Sequence, residues 1–158
     1  MPRYVAVLPL TPLRVGDGFT VSAWPLHVTI VPTFDSQLDA KDVGQQLAAA
    51  ASGTRAIDIV VGGEAMFGTN ANVSVALVRT SPELTLLHSR LLSGMVSIGA
   101  SFNSPEYVGG GYRPHITATK RSGAAADDQL HLTQIALVDM EPFGDAGHRR
   151  VVWTLPLA

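Results

Sequence analysis

The chain has no cysteine, which excludes a disulfide framework, a thiolate zinc site, an iron–sulfur cluster and a cysteine nucleophile. Charged residues make up only 15% and aromatics 6% of its 158 positions, against 46% hydrophobic. That balance excludes a disordered or solvating tail. It predicts one domain with one core, long enough to fold without metals or crosslinks. Lysine is scarce: of eleven basic residues only Lys41 and Lys120 are lysines, and the net charge is -2. A broad basic surface for long nucleic acid is therefore absent, whereas one nucleotide or one RNA end needs only a local pocket. No apolar run approaches the ~20 residues of a membrane helix, so no membrane partner is expected. The opening MPRYVAVLPLTP has the look of a signal peptide. Pro9 and Pro12 interrupt it and no small-residue cleavage site follows, so it reads as the first strand of a cytoplasmic protein.

Short β-rich runs follow one another between proline and glycine breaks. They are residues 3–8, 26–31, 57–61, 73–78, 115–119, 130–138 and 151–157. Two helical stretches interrupt them. One opens at Asp35-Ser36 and carries Leu38, Val43, Leu47 and Ala51 on one face; the other runs from Pro82 to Ile98 behind Thr80-Ser81. Residues 103–114, with two prolines and Gly109-Gly110-Gly111, read as a mobile loop and a flexible lid. This is an α+β pattern with antiparallel pairing. A faint repeat runs through it. Residues 57–78 and 133–154 each hold a strand, an acidic residue, a Phe-Gly pair (Phe67-Gly68, Phe143-Gly144), a polar turn and a second strand. A duplicated unit of that size predicts two similar lobes with a cleft between them.

The histidines carry the chemistry. Three of the five stand two places before a threonine, as His27-Val28-Thr29, His115-Ile116-Thr117 and His131-Leu132-Thr133, although only twelve residues are threonine. On a strand, positions i and i+2 share a face, so imidazole and hydroxyl project together. Such a pair suits a phosphoryl group: the imidazole moves a proton and the hydroxyl donates to a non-bridging oxygen. His27 and His115 both lie in strands entered through a proline (Pro25 and Pro114), whereas His131 lacks that entry and reads as a surface residue of an edge strand. His88 reads as a partly exposed helix residue and His148 as a solvated turn residue.

The paired segments HVTI and PHITA, set in a small duplicated domain, resemble the 2H phosphoesterase superfamily. That superfamily contains the LigT-like RNA 2′,3′-cyclic phosphodiesterases, also called 2′-5′ RNA ligases, and the resemblance spans nearly the whole chain. It implies a two-lobed fold with antiparallel sheets around a central groove and helices outside. It also implies His27 and His115 as the acid–base pair, with Thr29 and Thr117 holding the phosphate. After the second motif the chain continues Ala118-Thr119-Lys120-Arg121, where many relatives have a more apolar run with an arginine. Lys120 joins Trp24, Tyr112 and Arg113 as candidate base or phosphate contacts, the two aromatics equally as groove-wall packing residues.

Diester cleavage by two imidazoles needs no cofactor. A metal site is disfavoured by the motifs, since each supplies one nitrogen ligand and no carboxylate, and zinc needs a third ligand. The triple glycine is not followed by anything like a phosphate-binding P-loop. The expected activity is metal-independent hydrolysis of 2′,3′-cyclic or 2′-5′ diesters in RNA ends or small nucleotides. Hydrolysis of cyclic di- or oligonucleotide signals and a non-catalytic nucleotide-binding module are the alternatives.

Overall fold

The computed structural model describes residues 1–68, 70–119 and 122–158. The strands are β1 (Arg3–Pro9), β2 (Gly18–Thr20), β3 (His27–Asp35), β4 (Ile57–Phe67), β5 (Val73–Val78), β6 (Ser101–Phe102), β7 (His115–Thr117), β8 (Gln129–Leu132), β9 (Gln134–Asp139) and β10 (His148–Pro156). The helices are α1 (Ala40–Ala50) and α2 (Pro82–Ser97). The strands join in one sheet of order β2-β10-β9-β1-β3-β7-β5-β4-β8, with β6 attached to β3. Every neighbouring pair is antiparallel. The β3–β7 seam divides it into two lobes.

Both helices lie on one face. In β1, Tyr4, Ala6 and Leu8 belong to a core that includes Leu84, Leu87, Leu91 and Met95 of α2 and Val43 and Leu47 of α1. The alternate residues Val5 and Val7 join Ala136, Val138 and Val151 in a smaller cluster on the other face. α1 approaches β10 closely enough that a Cβ at Gly44 would stand 2.4 Å from the Trp153 indole, so only glycine fits there. α2 is capped by Ser81, whose hydroxyl accepts from the Leu84 amide, with Pro82 at the first helical position.

Several boundaries depart from the sequence expectation: β4 runs on from Val61 to Phe67, β7 stops at Thr117 and β10 begins at His148. Strand β3 passes through Pro32 to Asp35 because a bulge against β1, between the Tyr4–Phe34 and Ala6–Val31 pairs, absorbs the residue that has no N–H to donate. α1 in consequence starts later, behind Asp39, whose carboxylate accepts from the Asp42 amide. The run 130–138 is two strands: β8 pairs with β4 at one edge, while β9 pairs with β1 and β10 in the other lobe.

Residues 103–114 are not an open lid. They form two 3₁₀ turns, Pro105–Tyr107 and Gly109–Gly111, and the Gly109 amide donates to the His88 ring at 3.0 Å. Gly111 lies so close to the Glu106 carbonyl that a Cβ would stand 1.9 Å from its oxygen.

The repeat is present as two hairpins, β4–β5 and β9–β10, each turning at a Phe-Gly pair with left-handed backbone (Gly68 φ 93°, Phe143 φ 56°, Gly144 φ 77°). Their second strands take different places. β5 lies between β4 and the seam, while β10 lies outside β9 and β1 fills the place that corresponds to β5.

Candidate active site

At the seam Val28 of β3 stands opposite Ile116 of β7. Both are buried in the core beneath the helices, at 0% and 1% exposure. Alternation then turns their neighbours to the other face. The antiparallel register sets His27 diagonally across from His115, each beside the other motif's threonine. All four line a groove of about 800 Å³, a volume within the range of small-ligand sites.

The two imidazoles are held alike. His27 Nδ1 lies 2.8 Å from the Pro25 carbonyl oxygen and His115 Nδ1 lies 2.7 Å from that of Arg113. A carbonyl only accepts, so Nδ1 carries the hydrogen in both rings. The lone pair of each neutral ring is thereby assigned to Nε2. Each motif histidine thus bonds the carbonyl two residues before it, at the proline-marked entry to its strand.

Burial pushes both imidazoles below the ordinary histidine value; the bond to a carbonyl opposes this in each. The charge of His115 adds to the depression at His27, and that of Arg113 adds to it at His115.

Each ring also has an aromatic beside it, and an arginine lies over each of those aromatics. The Trp24 ring is 4.4 Å from that of His27, and the Arg149 guanidinium lies over Trp24 at 5.4 Å. The Phe67 ring meets His115 edge-on at 4.7 Å, with Arg113 over it at 4.8 Å. Arg149 is anchored by donating to the Met140 carbonyl. Neither Phe67 nor Arg149 is among the contacts expected from sequence. Phe67 is visible there as half of a repeat signature, whereas nothing in the sequence points to Arg149.

Of the expected contacts, Trp24 and Arg113 line the groove. Tyr112 also reaches it, but its ring stacks on His88 at 3.9 Å and its hydroxyl donates to the Thr29 carbonyl at 2.7 Å. Lys120 lies outside the described residues. His88 corrects the expectation of a partly exposed helix residue: it is 1% exposed. It sits on the inner face of α2, where the i, i+4 spacing from Leu84 carries it into the core. His131 is an exposed residue of edge strand β8 and pairs with Asp58.

Residues 5–141 match the family model of the 2′-5′ RNA ligase superfamily. The chain belongs to that superfamily, whose members are 2H phosphoesterases.

Solved structures share its two-lobed fold. A crystal structure of a phosphoesterase matches with a TM-score of 0.65 at 16% identity, over 99% of this chain and 98% of that one. LigT of E. coli, solved with NADP+, matches with 0.62 at 17% identity over the same shares. TT0787 of Thermus thermophilus matches with 0.58 at 19% identity, again over 99% and 98%. No curated protein matches the chain. Superfamily membership supports a phosphodiesterase-type activity. Among the described residues, no helix is long and apolar enough to cross a membrane.

Proposed function

We propose that this 2H phosphoesterase is a metal-independent phosphodiesterase that opens 2′,3′-cyclic or 2′-5′ diesters of RNA ends or small nucleotides in the cytoplasm. The observation that carries the reading is the pair of imidazoles at the seam, each with Nδ1 tied to a carbonyl and Nε2 left for proton transfer. In-line displacement at phosphorus needs a base on the attacking water and an acid on the departing ribose oxygen, on opposite sides. One Nε2 takes the water proton as the oxygen–phosphorus bond forms. The other, protonated, delivers its proton as the bond to the ribose oxygen breaks. Thr29 and Thr117, beside them on the same face, donate to the non-bridging oxygens, whose charge rises in the transition state. Trp24 and Phe67 offer aromatic surfaces to the base, and Arg113 offers a guanidinium to the phosphate. No three histidine or carboxylate groups converge as a metal site among the described residues.

The test is hydrolysis, in excess EDTA, of a panel holding 2′,3′-cyclic mononucleotides, a cyclic-phosphate-ended RNA, 2′-5′ oligoadenylate and cyclic dinucleotides. Cleavage of one of the first three classes is expected. Loss of all cleavage on adding EDTA, restored by a divalent ion, refutes metal independence. Nucleotide binding without cleavage returns the binding-module reading.

The pH profile follows from the two depressed histidines. The acid must hold its proton and the base must not, so kcat/KM is bell-shaped. With both groups titrating below the ordinary 6.5, the maximum is expected on the acid side of that value, and kcat/KM falls from there toward pH 8. Arg113→Met removes a charge that lowers His115, so one limb of the bell moves to higher pH. If the alkaline limb moves, His115 is the acid; if the acid limb moves, it is the base. A wild-type maximum above pH 7.5 contradicts the assignment.

A further inference from the structure

His88 and Tyr112 connect the core to the groove through contacts that the acid–base pair does not use. The Nδ1–H of His88 donates to the Ile30 carbonyl of β3 at 2.7 Å. Its Nε2 accepts the Gly109 amide at 3.0 Å. One donor bond and one acceptor bond satisfy a neutral imidazole completely. The same ring lies parallel to Tyr112, 3.9 Å away with 7° between the planes, and the Tyr112 hydroxyl donates to the Thr29 carbonyl. Three residues after Tyr112 comes His115, and one residue before Ile30 comes Thr29. A single buried side chain of α2 thus sets β3 beside the segment that leads into β7.

The need for such a tie is visible in the sheet. β7 has three residues, and among the described residues one pair, Val28–Ile116, joins it to β3. One pair of opposed residues is a weak hold for two motifs whose threonines and histidines must meet across it.

We propose that His88 and Tyr112 are positioning residues, a relay that sets Thr29 against His115 across the β3–β7 seam. The relay supplies from the helix side the alignment that the short β7 ladder lacks. Catalysis is sensitive to such alignment, since a misplacement of about 1 Å costs on the order of 100-fold in rate. The proposal rests on the diesterase reading for its kinetic readout alone.

Tyr112→Phe keeps the stack and removes only the hydroxyl bond to Thr29. With the cyclic mononucleotide or RNA end that the wild type cleaves, kcat is expected to fall at least about tenfold, with KM nearly unchanged and the melting temperature within a few degrees of wild type. His88→Phe removes both ring hydrogen bonds and is expected to speed deuterium exchange at the amides of residues 109–112, leaving the middle of α2 protected. His88→Gln, which restores an acceptor near the Nε2 position, should recover part of the protection and of kcat. Equal kcat in wild type and Tyr112→Phe overturns the relay. So does a loss of activity that merely follows a lower melting temperature. If the wild type cleaves nothing, the diesterase reading falls and inorganic phosphate becomes the probe. Weaker phosphate binding in Tyr112→Phe, by about tenfold in an amide chemical-shift titration, then supports the relay, and equal binding overturns it.

Discussion

Replacing either His27 or His115 with alanine is expected to reduce turnover by about 10²–10⁴-fold. Each ring has one nitrogen committed to a backbone carbonyl, so only Nε2 is left to exchange protons with substrate, and alanine removes it. Because attack and departure are parts of one displacement, the double variant should be little worse than the more damaged single one. The substitutions lie on the groove face and leave the Val28–Ile116 core contact in place, so melting temperatures should stay close to wild type. Initial rates on the cleaved member of the panel, with thermal melts alongside, decide the matter. A variant that keeps roughly a third of wild-type activity, far above the loss expected of a general acid or base, removes its histidine from the mechanism.

The second large effect is on stability. Ile116 is 1% exposed, packs in the core shared with α2, and is the residue of β7 that stands opposite β3. Ile116→Ala removes buried apolar atoms and leaves a cavity beneath the site, a change that costs about 2–5 kcal/mol. In a domain of this size that is a fall in melting temperature on the order of 10 °C. Activity per folded molecule should drop as well, because the cavity lies between His115 and Thr117. A shift below about 2 °C in calorimetry would show that the seam is not packed as described.

Much of this is legible along the chain. The strand bounded by Pro25 and the one bounded by Pro114, each opening on His-x-Thr, need only the two-residue period of a strand to place imidazole and hydroxyl on one face. The apolar spacing of Leu84, Leu87, Leu91 and Met95 likewise announces the buried face of α2, and all four are in the core. His88 lies within that same face, but a histidine there is polar, and sequence cannot show that both its nitrogens find partners 58 and 21 residues away. By composition the triple glycine reads as a lid. In the fold it turns tightly because the Glu106 carbonyl leaves no room for a Cβ and because the Gly109 amide is fastened to His88.

The repeat marks the boundary most clearly. Phe67 and Phe143 hold matching places in sequence, yet Phe67 lies against His115 while Phe143 is 92% exposed beneath Arg150. The counterpart of Phe67 at His27 is Trp24, which no periodicity relates to it. The two hairpins stand on different sides of their first strands, so equal sequence positions do not reach equal sheet positions. The information legible along the chain is local: which residues alternate onto one face, where glycine and proline stop an element, and which two of the three His-x-Thr histidines stand in strands entered through a proline. Only the tertiary structure decided which strands become neighbours, and with that which carbonyl holds each imidazole, which aromatic flanks it and which helix residue ties the seam. Side-chain facing follows from backbone geometry over two to four residues, whereas strand order is set by burying a core assembled from the whole chain.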